Sequence, residues 1–215
     1  AAVTWCEGNE TVQAPEAADS AAREVAPAQS KNPFYLFFKR SRTFWTTLGN
    51  VTPGDCSWRK AYNLTKDEVN FEVGSNQNPE QECRPVYESY NFGENGNMFS
   101  ISTDFGFGFF DRMRYSRGDC AVGEKVAWFQ EKNNNNKANC TSTDDELHPF
   151  VSQPCCYRND TKRLQKSKLL ESMGFDLGPY YCSYGPTYTI YLSSKTSVPS
   201  DCLREYEKLA GTKQG

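Results

Sequence analysis

From Pro33 onward, short aromatic or β-branched stretches alternate with turn-forming residues, the pattern of antiparallel strands. The spacing predicts eight of them, near Phe34–Thr43, Cys56–Leu64, Glu68–Gly74, Arg84–Asn91, Asn97–Thr103, Gly106–Tyr115, Cys120–Gln130 and Thr187–Ser194. Between them, Thr52-Pro53-Gly54-Asp55, Gly93-Glu94-Asn95-Gly96 and Ser116-Arg117-Gly118-Asp119 accept tight-turn geometry. Eight antiparallel strands of this length favour a closed barrel, which leaves no free edge and can hold one small ligand. A face-to-face sandwich is the alternative. After the last strand, Val198-Pro199-Ser200-Asp201 followed by CLREYEKLAG predicts a C-terminal helix that stops at Gly211. The expected class is all-β.

Two stretches fall outside the strand pattern. Residues 1–32, rich in Ala, Glu, Pro and Ser, read as an N-terminal arm with a short helix around Ala17–Val25, tied down by no more than Trp5 and Cys6. The barrel domain then runs from 33 to 215. Within it, an insertion at about 131–185 opens with the polar tract Asn133–Asn136 and carries Cys140, Cys155, Cys156 and Cys182. It includes a helix candidate, TKRLQKSKLLESMGF over Thr161–Phe175. Its cysteines would staple a segment with too little apolar material to fold alone.

Composition places the chain in an oxidising compartment. Nine cysteines imply a disulfide framework, and an odd number leaves at least one thiol free or paired outside the chain. Five Asn-X-Ser/Thr sequons, at Asn9, Asn50, Asn63, Asn139 and Asn159, are candidate glycosylation sites and reinforce an extracellular, secreted assignment. No apolar run approaches the ~18 to 20 residues of a membrane span, and we read the chain as a mature, processed product. A net charge of -3 gives no reason to expect nucleic acid as a partner.

Two segments carry a family resemblance. Tyr115-Ser116-Arg117-Gly118-Asp119-Cys120-Ala121-Val122 resembles the YSD-x-x-CDV signature of tick salivary lipocalins, the histamine-binding-protein-like family. Tyr188-Thr189-Ile190-Tyr191, with Cys202-Leu203-Arg204-Glu205-Tyr206 ten residues later, is similar to that family's last strand and cysteine-bearing helix. Phe34-Tyr35-Leu36-Phe37, then Trp45 and Cys56, look like its first strand and the cysteine opening its second. The resemblance covers roughly 33–130 and 186–211 and implies a lipocalin-type barrel with a Cys120–Cys202 bridge. The family's usual partner for the Cys56 position lies beyond the helix and is missing here, so Cys56 is expected to pair elsewhere, with the insertion as the candidate region.

The resemblance also bears on the ligand. Members that bind histamine or serotonin hold the amine with carboxylates inside the barrel. At the matching positions this chain has Ala121, Thr189 and Arg42. That implies an interior stripped of negative charge. An aromatic cavity with Arg42 at its mouth would suit an amphipathic anion such as a fatty acid, since arginine pairs bidentately with a carboxylate. The candidate ligand-binding residues are Tyr35, Phe37, Arg42, Trp45, Phe99, Phe107, Phe109 and Tyr191. Without the register, these aromatics line a cavity or fill a core, and Lys39, Arg40 and Arg42 equally suit a solvated strand end.

Little suggests catalysis. The single histidine, His148, lies beside Pro149 after Asp144-Asp145-Glu146, which lacks the ligand alternation and glycine of a calcium loop. Cys155-Cys156 is not a redox C-x-x-C pair. We expect no enzyme, cofactor or metal. The expected function is sequestration of a small host mediator, more an amphipathic lipid or fatty acid than a biogenic amine, against inflammatory or immune defence. The alternative is inhibition of a host complement, clotting or immune protein through loops or the insertion. Histamine or serotonin binding comes third.

Overall fold

The computed structural model describes residues 31–75, 83–93, 96–140, 149–158 and 177–211. Among the described residues, ten strands form one sheet: β1 (Thr43–Thr47), β2 (Trp58–Leu64), β3 (Glu68–Ser75), β4 (Arg84–Phe92), β5 (Asn97–Ser102), β6 (Phe107–Arg117), β7 (Cys120–Glu131), β8 (Ala138–Asn139), β9 (Cys155–Arg158) and β10 (Tyr180–Leu192). The first seven pair antiparallel in chain order, β10 follows β7, and β1 returns to β10 through Trp45↔Leu192 and Thr46↔Tyr191. This closes an eight-stranded antiparallel barrel of the lipocalin type. The short β9 and β8 extend the sheet beyond β10, outside the closed ring.

The expected first strand, Phe34–Thr43, is a helix for most of its length. Helix α1 spans Pro33–Arg40, and the barrel strand starts only at Thr43. The local reasons are clear in the residues. Asn32 caps the helix, its Oδ1 accepting from the backbone N–H of Phe34 at 2.9 Å and Tyr35 at 3.3 Å. Pro33 supplies a preset first-turn φ, and Lys39 and Arg40 sit in the last turn, where the helix dipole favours cations. Phe34, Phe37 and Phe38 then share one face at i, i+3 and i+4 spacing, and all three are fully buried.

That face closes one end of the barrel. Phe38 packs on Phe44 at 5.1 Å and on Phe71 at 5.0 Å between ring centroids, and Phe37 meets Phe44 at 5.8 Å and Tyr191 at 6.2 Å. Gly123 belongs to this packing, because a Cβ there would stand 2.7 Å from the Tyr191 ring.

Two clusters clothe the outside. Helix α2, Ser200–Gly211, covers Val122, Ile190 and Leu192, with Cys202 disulfide-bonded to Cys120. Tyr115 donates to Asp201 at 2.8 Å beside the helix start, which lowers the Asp201 pKa and raises that of Tyr115. On another part of the wall, Phe110, Val126 and Trp128 are covered by Cys155, Tyr157 and Phe150 of the insertion. Trp128 Nε1 donates to the Pro149 carbonyl at 2.7 Å, and the Arg112 guanidinium lies 4.6 Å from the Phe150 ring centre. Arg112 and Arg114 also hold Glu124, 2% exposed, at 2.8 and 2.9 Å.

The final barrel strand begins at Tyr180, not Thr187, so the insertion ends earlier than its cysteine content suggests. A bulge between Tyr184 and Thr187 takes up the Gly185-Pro186 pair without ending the strand. Cys56 pairs with Cys83, just before β4, and not with the insertion. The insertion's own cysteines form Cys140–Cys155 and Cys156–Cys182, the second fastening β9 to β10. Cys6, Asn9, Asp144, Asp145, Glu146, His148, Asn159, the arm helix and the Thr161–Phe175 helix lie outside the described residues. Asn50, Asn63 and Asn139 are exposed, as glycosylation requires.

Candidate ligand cavity

Alternation along the strands sorts the barrel interior into layers. Phe44 and Arg59 face each other across β1 and β2, Phe71 faces Glu88 across β3 and β4, and Asp111 faces Lys125 across β6 and β7. The result is an aromatic floor made with α1, and above it a band of charged side chains. Between them lies a cavity of about 210 Å³, lined by Phe38, Phe44, Thr46, Thr47, Leu48, Arg59, Phe71, Tyr90, Met98, Asp111, Lys125, Thr189 and Tyr191.

The charged band is connected. Arg59 donates to Glu88 at 2.6 Å, the Tyr90 hydroxyl donates to the same Glu88 oxygen at 3.2 Å, and Lys125 Nζ donates to Tyr90 Oη at 3.3 Å. Lys125 Nζ also stands 3.8 Å from Asp111 Oδ1 and 5.3 Å from the Phe109 ring centre. Asp111 is 1% exposed, and its Oδ2 has no hydrogen-bond partner among the described residues. Burial pushes the Asp111 carboxyl up to about 6; Lys125 and Arg59 oppose that rise and Glu88 adds to it. Tyr90 and Tyr191 are shifted upward, chiefly by burial, with Asp111 adding to both. Burial works against the Arg59 charge, but Glu88, Tyr90 and Tyr191 more than offset it, leaving its pKa raised.

The interior is therefore not stripped of negative charge. Ala121 and Thr189 are uncharged as their sequence positions indicate, but Asp111 and Glu88 bring carboxylates in from β6 and β4. In this band, two carboxylates stand against two cations.

Of the eight candidate ligand-binding residues, Tyr191 lines the cavity. Phe37 and Tyr35 lie in the α1 packing, Tyr35 with its ring 6.0 Å from Phe92. Phe107 and Phe109 share the inward register of Asp111 but sit further along β6, where Phe107 meets Phe129 at 6.0 Å. Phe99 stacks on Phe110 on the outer wall, and Trp45 pairs with Leu192, whose side chain packs in the outer α2 cluster. Arg42 is exposed and does not line the cavity. Arg42 precedes the strand: α1 ends at Arg40 and β1 starts at Thr43, so Arg42 lies in the connection between them, and Phe44 and Thr46 supply the inward positions of the first strand. The cationic lining comes instead from Arg59 and Lys125.

Sequence reasoning missed Arg59, Asp111 and Lys125. A signal for Asp111 existed, since Phe107, Phe109, Asp111 and Met113 alternate, and a carboxylate in that series must face the interior. Among the described residues, no three His, Cys, Asp or Glu side chains gather as a metal-binding set, and no helix is long and apolar enough to cross a membrane.

Comparison of the chain with protein-family models, with curated proteins and with solved structures finds no match.

Proposed function

We propose that this protein is a secreted barrel that sequesters a small amphipathic mediator. The observation that carries this reading is the cavity itself: closed β walls, an aromatic floor and a charged band that includes a buried carboxylate oxygen without a partner. The ligand's apolar part rests on Phe38, Phe44 and Phe71, and its polar end meets Arg59, Asp111 and Lys125. An anionic head sought at Arg42 from the sequence meets Arg59 and Lys125 instead. The volume falls below the roughly 300 to 1,000 Å³ of pockets for drug-sized ligands, which favours a compact apolar part over a long acyl chain. Four disulfides and exposed sequons support secretion. The resemblance of Tyr115–Val122 and Tyr188–Tyr191 to tick salivary lipocalin motifs supports a host inflammatory mediator as the target.

Native mass spectrometry of the protein purified from a secreting host, followed by organic extraction, tests the reading. One bound small molecule per chain is expected. A bare mass, with no small molecule taken up from a mediator panel, would reject it.

A second reading rests on the insertion. Phe150 packs against the outer wall beside Trp128, and none of the insertion's described residues lines the cavity, which supports a role for it as a protein-binding element for a host defence protein.

A further inference from the structure

We infer that the cavity reads a single-ring zwitterion, a compact molecule carrying an ammonium and a carboxylate on one aromatic body. This deepens the sequestration reading and rests on it. The argument begins from charge. Asp111 and Glu88 oppose Arg59 and Lys125 in the band, so a ligand with net charge would leave one wall charge uncompensated beside the buried Asp111, whereas a zwitterion leaves the balance intact.

Unused bonding capacity points the same way. Glu88 is already engaged by Arg59 and Tyr90, but the Asp111–Lys125 pair is loose at 3.8 Å, longer than a hydrogen bond, and Asp111 Oδ2 accepts from no donor. A buried acceptor of this kind costs free energy until a donor reaches it. The ligand's ammonium supplies that donor, and its carboxylate accepts from Lys125 on the adjoining strand. The two wall groups are direct cross-strand partners with their charged ends 3.8 Å apart, close enough to meet an ammonium and a carboxylate borne on one carbon of a small molecule. Size fits as well: an apolar cavity of about 150 Å³ admits benzene, so about 210 Å³ accommodates one ring and a few polar atoms. Phe38, Phe44 and Phe71 give that ring faces and edges to pack on.

Calorimetric titration of the full chain with L-phenylalanine, phenethylamine and 3-phenylpropanoate at neutral pH tests the class without altering the protein. L-phenylalanine should bind about tenfold or more tighter than either singly charged analogue, the scale of one charged hydrogen bond lost. Asp111→Asn should weaken L-phenylalanine and phenethylamine but spare 3-phenylpropanoate, and Lys125→Met should weaken L-phenylalanine and 3-phenylpropanoate but spare phenethylamine. Equal or tighter binding of either analogue by the unaltered chain would overturn the zwitterion assignment. So would failure of all three to bind a protein from which mass spectrometry recovers another bound molecule, an outcome that leaves sequestration standing. Failure of all three with no molecule recovered rejects both.

Discussion

Asp111 and Lys125 face each other across β6 and β7 inside the barrel, with Lys125 Nζ 3.8 Å from Asp111 Oδ1 and the other carboxylate oxygen, Oδ2, unbonded among the described residues. The pair combines the two properties that define the interior: nearly complete burial of a charge and incomplete satisfaction of it.

Stability should therefore depend on pH through Asp111. Its folded pKa of about 6 exceeds the unfolded value of about 3.9. Below about pH 4 both states are protonated, and the group costs nothing. As pH rises to about 6 the unfolded chain releases this proton while the folded chain retains it, so stability falls, and above that the penalty is constant at about 3 kcal/mol or less. Lys125, Arg59 and Glu88 are the charges facing it, and the Tyr90 and Tyr191 hydroxyls stay protonated throughout this window. Asp111→Asn should flatten the slope and raise stability near neutrality by about 1 to 3 kcal/mol, measured by denaturant unfolding across pH. An unchanged slope would contradict the assignment.

Helix α1 should behave as part of the barrel core. Phe38→Ala removes a fully buried ring from contact with Phe44 and Phe71 and should cost about 3 to 5 kcal/mol in unfolding free energy. A loss below about 1 kcal/mol would mean that the helix is not seated as described.

Asn32→Ala tests how that helix begins. It removes the cap to Phe34 and Tyr35 and the Nδ2 bond to the Asn97 carbonyl at 3.0 Å, and should cost about 1 to 2 kcal/mol. Asn32→Asp keeps the cap acceptor but loses the donor to Asn97, and should recover part of the loss.

The Cys120–Cys202 bridge spans 82 residues of sequence and ties α2 to the wall. Replacing both cysteines with serine should destabilise the protein by about 4.5 kcal/mol on the chain-entropy scale. The shorter Cys140–Cys155 link, spanning 15 residues, should cost less, about 3 kcal/mol, and comparing the two unfolding curves checks the order.

The strand run from Cys56 to Gln130 was legible because each segment alternates and ends at a turn residue. Phe34 to Arg40 was misread for a definable reason: aromatic density suggests a strand, while the same phenylalanines recur at helical spacing behind an Asn-Pro start. That one reassignment leaves Phe44 and Thr46 as the inward set of the first strand and puts Arg42 in the connection that precedes it. The Gly185-Pro186 pair hid the first half of β10 because a bulge is indistinguishable from a break without its partner strand. The charge of the cavity was the least legible feature, since Arg59, Glu88, Asp111 and Lys125 come from four strands and meet only when the ring closes.

The most direct test of a hollow, ligand-holding barrel is the binding stoichiometry of the extracted molecule to the unaltered protein and to Thr189→Phe, which fills the cavity from β10. The account predicts one site per chain, lost in the variant while its thermal unfolding stays cooperative. Undiminished binding by a folded Thr189→Phe protein would contradict it.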